Sequence, residues 1–169
     1  MPGLPDVERC AAELFRGRFD ECGFPDGAEI QVNSEAAFER ARGDGQLWVA
    51  EAPDGATVGF ALMMVLGGYA HLDELGVHPD HGRRGLGAAL LAGICDWADR
   101  SGYPGVTLST FRSIPWNAPF YERHGFAAVE PANLSPAHAR LVQREAARGL
   151  RTDLRVVMLR PATAAADPG

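Results

Sequence analysis

Two kinds of chemistry are visible in the residue types of this chain, anion binding and proton transfer. The first lies in Gly82-Arg83-Arg84-Gly85-Leu86-Gly87-Ala88, where glycines flank two adjacent arginines just ahead of a helical pattern. A helix N-terminus presents backbone N–H groups that lack an intrahelical partner, together with a partial positive charge, and so attracts anions. Glycine lets that backbone approach a phosphate with no Cβ in between, and Arg83 and Arg84 would add charge-assisted hydrogen bonds. The competing reading is a glycine turn that merely joins a strand to a helix. A dinucleotide fingerprint needs G-x-G-x-x-G, which this order does not supply, and a P-loop needs a lysine, which the chain lacks.

The second chemistry lies in His71-Leu72-Asp73-Glu74-Leu75. Strand alternation puts His71 and Asp73 on one side and Glu74 on the other. A histidine titrates in the right range for proton transfer near neutrality. A bulge would break the alternation and bring Glu74 into play. His78, His81, His124 and His138 show no metal-ligand spacing, and Cys10, Cys22 and Cys95 form no CxxC pair, so no metal is expected and the thiols read as reduced.

The elements that must position these groups follow from periodicity and punctuation. Asp6 can cap a helix to about Gly17 with Val7, Cys10, Ala11, Leu14 and Phe15 on one face. Phe19 to Val32 reads as a loop, and Asn33 or Ser34 caps a helix to about Arg42, ended by Gly43-Asp44-Gly45. Strands are predicted over Leu47–Ala52, Thr57–Leu66 and Tyr69–Val77, joined by the turns at Pro53-Asp54-Gly55 and Gly67-Gly68. Leu86, Leu90, Leu91, Ile94, Trp97 and Ala98 then recur at helical spacing, from about Gly85 to Ser101-Gly102. Val106–Phe111 follows as a strand parallel to Tyr69–Val77, because a long helix intervenes. A short strand at Ala127–Glu130, a helix over Pro136–Arg148 capped by Ser135 and a strand at Leu154–Leu159 complete the pattern.

Val-x-Pro followed by a turn ending Arg-Arg-Gly-Leu-Gly-Ala resembles the acetyl-CoA signature Q/R-x-x-G-x-G/A of the GNAT N-acetyltransferase superfamily, with Gly82 standing where Gln or Arg is usual. Trp116-Asn117-Ala118-Pro119-Phe120-Tyr121-Glu122-Arg123-His124-Gly125-Phe126 resembles that family's second signature. The resemblance implies an α/β fold with a mixed, mostly antiparallel sheet splayed into a V and flanked by helices, its first edge strand either absent or lying ahead of the residues given. It implies one domain over residues 1–160 and leaves 161–169 as a disordered tail. In such a fold the strands Tyr69–Val77 and Val106–Phe111 splay, and the pantetheine arm of acetyl-CoA pairs with the backbone so exposed.

The same resemblance implies donor contacts from Leu75, Gly76 and Val77, from the turn Gly82 to Ala88, and from Asn117 and Phe120. Gly76 would carry a β-bulge that widens the gap, or would only relieve crowding. Asn117 could reach the pantetheine or cap its helix. Tyr121 matches the family's general acid at the sulfur, with a core tyrosine as the alternative. The candidate bases rank His71, then Glu74, then Asp73, against solvent taking the proton while these residues shape the pocket. Phe111 and Trp116 could wall the acceptor pocket or simply pack. The implied reaction is direct transfer of an acetyl group to the primary amine of a small molecule; a peptide N-terminus as acceptor, or a non-catalytic acyl-CoA-binding module, are the alternatives.

Composition narrows the classes. The 169 residues, 46% hydrophobic and 22% charged, suit one globular domain. A net charge of −6 argues against a nucleic-acid surface and is compatible with a cationic amine. No apolar run is long enough to span a bilayer, and the first residues lack a basic region followed by an apolar one, so no membrane partner and a cytoplasmic location are expected. The missing edge strand would leave a sheet edge that a second copy could cover, which raises a homodimer as an expectation.

Overall fold

The computed structural model describes residues 3–23 and 31–163. Its centre is a six-stranded mixed sheet of order β1-β2-β3-β4-β6-β5, with β1 Leu47–Glu51, β2 Thr57–Leu66, β3 Tyr69–Val77, β4 Gly105–Phe111, β5 Ala127–Ala128 and β6 Arg155–Pro161. Only β3 and β4 are parallel; the other neighbours run antiparallel. Helix α1 spans Leu4–Ala12, α2 Phe19–Cys22, α3 Glu35–Gly43, α4 Leu86–Arg100, α5 Ala118–Glu122 and α6 Pro136–Ala147. Among the described residues no strand precedes α1, and β1 forms one sheet edge.

Local chemistry explains most boundaries. Gly67 and Gly68 take φ of 59° and 85°, the two left-handed residues that a tight hairpin between β2 and β3 demands. Ser34 accepts from the Ala37 N–H and Ser135 from the His138 N–H, so each caps its helix as expected. The first helix starts earlier than its sequence suggests, at Leu4 with Gly3 as cap and Pro5 in its first turn. This shift rotates the buried stripe to Leu4, Val7 and Glu8 and leaves Leu14 exposed. The α-helix ends at Ala12 and continues as a 3₁₀ segment, Glu13–Arg18. The expected loop from Phe19 is helical as far as Cys22, and residues 24–30 of it lie outside the described residues.

One face of the sheet carries α4, whose Leu91 and Ile94 are fully enclosed with Leu72, Val106, Leu108 and Met158. Burying each such side chain contributes about 1.5–3 kcal/mol. On the other face α1 and α3 cover Phe60 and Leu62 through Leu4, Val7 and Phe38, while α6 covers the far end. Two ion pairs tie helices to β6: Arg160 to Asp99 of α4 at 3.1 Å, and Arg155 to Glu145 of α6 at 2.8 Å. The expected tail begins later than Pro161, which belongs to β6. Ala162 N–H donates to the Pro104 carbonyl at 3.0 Å and the Thr163 hydroxyl to Asp99 at 2.6 Å. Residues 164–169 lie outside the described residues. No helix among those described is long and apolar enough to cross a membrane.

Candidate active site

The parallel pairing of β3 with β4 stops after Leu72 opposite Leu108. Beyond it, Asp73–Val77 and Ser109–Phe111 no longer pair with each other, although β2 and β6 still hold their outer sides. The sheet therefore opens into a V at the C-terminal end of β3, where the chain turns into α4. Unpaired backbone groups within such a gap need a partner, which an extended peptide-like arm can supply.

A bulge accompanies the splay, and it lies at Asp73 rather than at Gly76. Leu62 pairs with Glu74 and the next residue, Met63, with Leu72, so Asp73 is the extra residue. Gly76 has another duty: a Cβ there would sit 2.7 Å from the Phe60 ring. Its glycine relieves crowding, the second of the two readings open for it. The bulge also re-aims the side chains. Ala70, Leu72, Leu75 and Val77 belong with the α4 core, whereas Glu74 turns to the α1 face, beside Glu8 and Asn33. Simple alternation had set Glu74 apart from His71; the inserted residue puts them on the same face.

At the mouth of the V stands the N-terminus of α4. Gly85 takes φ 81° and Arg83 φ 57°, a tight left-handed turn, and no side chain caps the helix. The first N–H groups of α4, on Leu86, Gly87 and Ala88, thus face outward without intrahelical partners. A Cβ on Gly85 would meet nothing within 4 Å, and one on Gly87 would make only ordinary contact with Phe120 and Val77. Gly85 is accounted for by its φ, no protein atom requires a glycine at Gly87, and together they leave a cradle clear of side chains. Gly82 ends the preceding 3₁₀ turn, its N–H bonded to the Pro79 carbonyl at 3.0 Å. A Cβ there would approach the same carbonyl to 3.1 Å, a tight fit that a shift of a few tenths of an ångström would relieve, so the structure does not explain the departure from the usual Gln or Arg. Arg83 and Arg84 are exposed beside this cradle.

Helix α5 closes the other flank. Asn117 does not cap it with its side chain; its Nδ2 donates to Thr110 Oγ1 at 2.6 Å and so fastens α5 to the end of β4. Phe120 lies against Gly87, linking the two sequence motifs in space. Tyr121 is buried between Phe120 and Phe126. Among the described residues its hydroxyl makes no hydrogen bond. Burial, reinforced by the nearby Glu74 carboxyl, pushes the phenol above its usual range, so it is a proton donor at neutral pH.

The polar groups on the α1–α6 face divide into two sets. Glu74 and Glu8 share a proton: burial and the Glu8 carboxylate raise Glu74 to about 9, and Glu74 donates to Glu8. Asn33 organises the pair, its backbone N–H donating to Glu8 at 2.8 Å and its Nδ2 to Glu74 at 2.9 Å. His71 belongs to the other set. Its Nδ1 meets Thr107 Oγ1 at 2.9 Å, which in turn meets His138 Nε2 at 3.0 Å, and His138 Nδ1 meets Ser135 at 2.7 Å. Burial, with His138 and Arg144 nearby, lowers His71 to about 4. A neutral histidine, 2% exposed and engaged in this chain, joins β3 to α6. Asp73 lies at the bulge, its carboxyl raised by desolvation against the opposing pull of Arg148 and Arg144.

Glu8 escaped the sequence reading, and Asn33 entered it only as a possible cap of α3, a place that Ser34 takes. One signal was present: Leu4, Val7 and Glu8 stand at i, i+3 and i+4, so an acidic residue occupies the buried stripe of an amphipathic helix. Phe111 and Trp116 both pack on Phe15, at ring distances of 5.7 and 5.9 Å, and Arg18 stacks on Trp116 at 5.3 Å. The 3₁₀ segment thus spans the open end of β4.

Comparison with known proteins agrees with this geometry. A family profile described as an acetyltransferase (GNAT) domain matches residues 43–128, from the end of α3 to β5. The chain belongs to the GNAT acetyltransferase family. It is 41% identical over 75 residues to the mycothiol acetyltransferase of Clavibacter sepedonicus, a stretch covering 44% of this chain and 23% of that protein. Its fold is similar to that of N-acetylglutamate synthase from Neisseria gonorrhoeae complexed with coenzyme A and N-acetyl-glutamate, at a TM-score of 0.64 and 19% identity over 97% of this chain and 34% of that one. It is also similar to the ribosomal-protein-S18-alanine N-acetyltransferase of Escherichia coli, at 0.57 and 24% over 85% and 86% of the two chains. This GNAT chain thus spans only about a quarter to a third of the length of the first two relatives.

Proposed function

We propose that this GNAT chain moves an acetyl group from acetyl-CoA to the primary amine of a small molecule by direct transfer. One observation carries the reading: β3 and β4 part after Leu72 and Leu108 at the end where the α4 N-terminus and Tyr121 of α5 converge. Leu75, Gly76 and Val77 would line the gap, and the turn from Gly82 to Ala88 would take the pyrophosphate of the donor on backbone N–H groups and the two arginines. Coenzyme A supplies the thioester. The chain's own residues do the rest.

Glu74 is the better-placed base, ahead of His71. A carboxyl raised to about 9 is matched to the ammonium of an amine, so a proton can pass between them with little free-energy cost. His71 is enclosed and holds its ring on Thr107. An arriving ammonium favours the ionised form of the Glu8–Glu74 pair, and Asn33 keeps both carboxyls oriented. Tyr121, protonated and without a partner among the described residues, donates to the departing thiolate. A binding module would need no proton donor there, which favours the enzyme over a non-catalytic reading.

The test is release of free thiol from acetyl-CoA across a panel of small amines and short peptides, with Tyr121→Phe alongside. Acceptor-dependent release that collapses in the variant is the expected result. Equal activity in the variant would remove Tyr121 from the reaction, and calorimetric failure to bind acetyl-CoA would overturn the donor site.

A further inference from the structure

We propose that the acceptor carries a carboxylate besides its amine, and that Arg140 and Arg144 of α6 hold it in the groove between α6 and β2. The groove has a volume of about 520 Å³, within the usual range for small-ligand sites. Met64 and Leu66 make its floor, and Arg140, Gln143 and Arg144 its polar wall. Its Met64 lies two residues along β2 from the cross-strand partner of Glu74. Phe60, Leu62, Met64 and Leu66 alternate along one face of β2, and Leu62 is the cross-strand partner of Glu74. Met64 stands one alternate step further, roughly 7 Å along the strand. The positions of the arginines agree: Arg144 acts on His71, the cross-strand partner of Met64, and Arg144 with Arg148 acts on Asp73 at the bulge.

The arginines themselves call for an anion. They stand at i and i+4 of one helix, a spacing at which like charges repel unless something negative lies between them. Among the described residues neither makes an ion pair or a side-chain hydrogen bond. Some surface arginines of this chain pair locally, Arg9 with Asp6, Arg18 with Glu21 and Arg151 with Asp153, whereas Arg40, Arg123 and Arg148, like these two, make no ion pair among the described residues. The acidic neighbour within α6 is committed elsewhere: Glu145 receives Arg155 at 2.8 Å and the Ser109 hydroxyl at 3.0 Å. Asp73, exposed at the bulge, offsets part of the positive field from the strand side and divides its charge between Arg144 and Arg148.

The face of the sheet that carries Glu74 therefore has a negative end, Glu8 and Glu74, and a positive end, Arg140 and Arg144, with half-buried Met64 diagonally between them and Leu62 closed over by α1 and α3. An amine placed on the negative end aims a tail past Met64, and only an anionic tail completes the positive end. A guanidinium takes a carboxylate through two parallel N–H donors, which fixes the acceptor's orientation as well as its charge. The acceptor class so defined is an amino acid or a short amino-acid derivative with a free carboxylate. Calling the anion part of an acceptor rests on the transferase reading; the anion site itself does not.

Two measurements separate these. In thiol-release assays, amino acids are compared with their carboxamides, which keep the amine and lose the negative charge. The acids are expected to have at least about a tenfold higher kcat/KM, mainly through KM, and that advantage should vanish in Arg140→Gln/Arg144→Gln. Carboxamides that serve equally well, or an advantage that survives in the double variant, would overturn the proposal. Independently of turnover, glutarate is titrated into protein with ¹⁵N-labelled arginine while the side-chain Nε–H resonances are followed. A saturable shift that the double variant lacks supports the site; no saturable shift overturns it. Glutarate binding with no transfer to any amine would retain the anion site and count against the transferase reading instead.

Discussion

The gap between β3 and β4 and the proposed acceptor site on the face toward α1 and α6 are built from different materials. The gap is made of backbone: unpaired strand edges, the first N–H groups of α4, and glycines that keep side chains away. The proposed acceptor site is made of side chains, and they come from scattered places, the cluster of Glu8 on α1, Asn33 before α3 and Glu74 on β3, and the groove of Arg140 and Arg144 on α6. A backbone site can take a ligand part common to many reactions, because every chain can fold the same way there. A side-chain site can be rewritten residue by residue without disturbing the sheet. The difference suggests that this fold keeps donor recognition and acceptor choice on separate parts.

The largest expected effect tests the point where the two regions meet. Tyr121→Phe removes a hydroxyl that neither region uses structurally, so kcat should fall about 10²–10³-fold while the dissociation constant for acetyl-CoA stays within about threefold. Isothermal calorimetry beside the thiol assay would check both numbers. A parallel loss of donor affinity would mean that Tyr121 shapes the gap rather than serving the reaction.

Glu74→Gln should lower kcat/KM by about 10–100-fold. With an acceptor whose own ammonium titrates well below 9, the wild-type rate should still climb towards pH 9, and the variant should lose that limb. The same group carries a stability signature of opposite sign. Its folded pKa of about 9 lies above the ordinary 4.5, so the folded state holds the extra proton between those values. Stability is therefore full below about pH 4.5 and falls as pH rises towards 9. Thermal melts at pH 6 and pH 9 should show a loss on the order of 1–3 kcal/mol in the wild type and much less in the variant. A flat wild-type profile would mean that the two carboxyls do not share a proton.

These two regions also differ in how much of them the sequence discloses. The turn from Gly82 to Ala88 and the run from Asn117 to Phe126 are contiguous, so spacing alone exposes them. The pairing of the first four strands followed too, since turns such as Gly67-Gly68 and the long helix between β3 and β4 leave few ways to pair; the insertion of β6 between β4 and β5 did not. The bulge did not. Nothing in His71-Leu72-Asp73-Glu74 marks which residue is extra, because the choice depends on how β3 registers against the neighbouring β2. Once Asp73 is inserted, Glu74 changes face and the likeness between His71 and Glu74 as bases ends. Glu8 was hidden for a related reason: its meaning appears only when α1 starts at Leu4 and turns that carboxyl inward.

Arg83→Ala/Arg84→Ala should act on the backbone-built region alone. Both side chains are exposed, so the fold should hold, and the dissociation constant for acetyl-CoA should rise about tenfold at low salt and less at high salt. The KM for the acceptor at saturating acetyl-CoA should be unaffected. Loss of acceptor affinity at saturating donor would break the division between the regions.

The smallest effect comes from the cap of α6. Ser135 Oγ accepts from the His138 N–H at 3.4 Å and contacts His138 Nδ1 at 2.7 Å, so it both starts the helix and holds the ring that Thr107 shares with His71. Ser135→Ala should cost about 1 kcal/mol, seen as a modest drop in Tm. Because α6 carries Arg140 and Arg144 and none of the residues proposed to hold the donor, the variant should loosen acceptor binding slightly and leave acetyl-CoA affinity as it was. A change in donor affinity would show that the chain of His138, Thr107 and His71 transmits the position of α6 through β4 into the gap. The two regions would then be coupled by that buried polar path rather than independent.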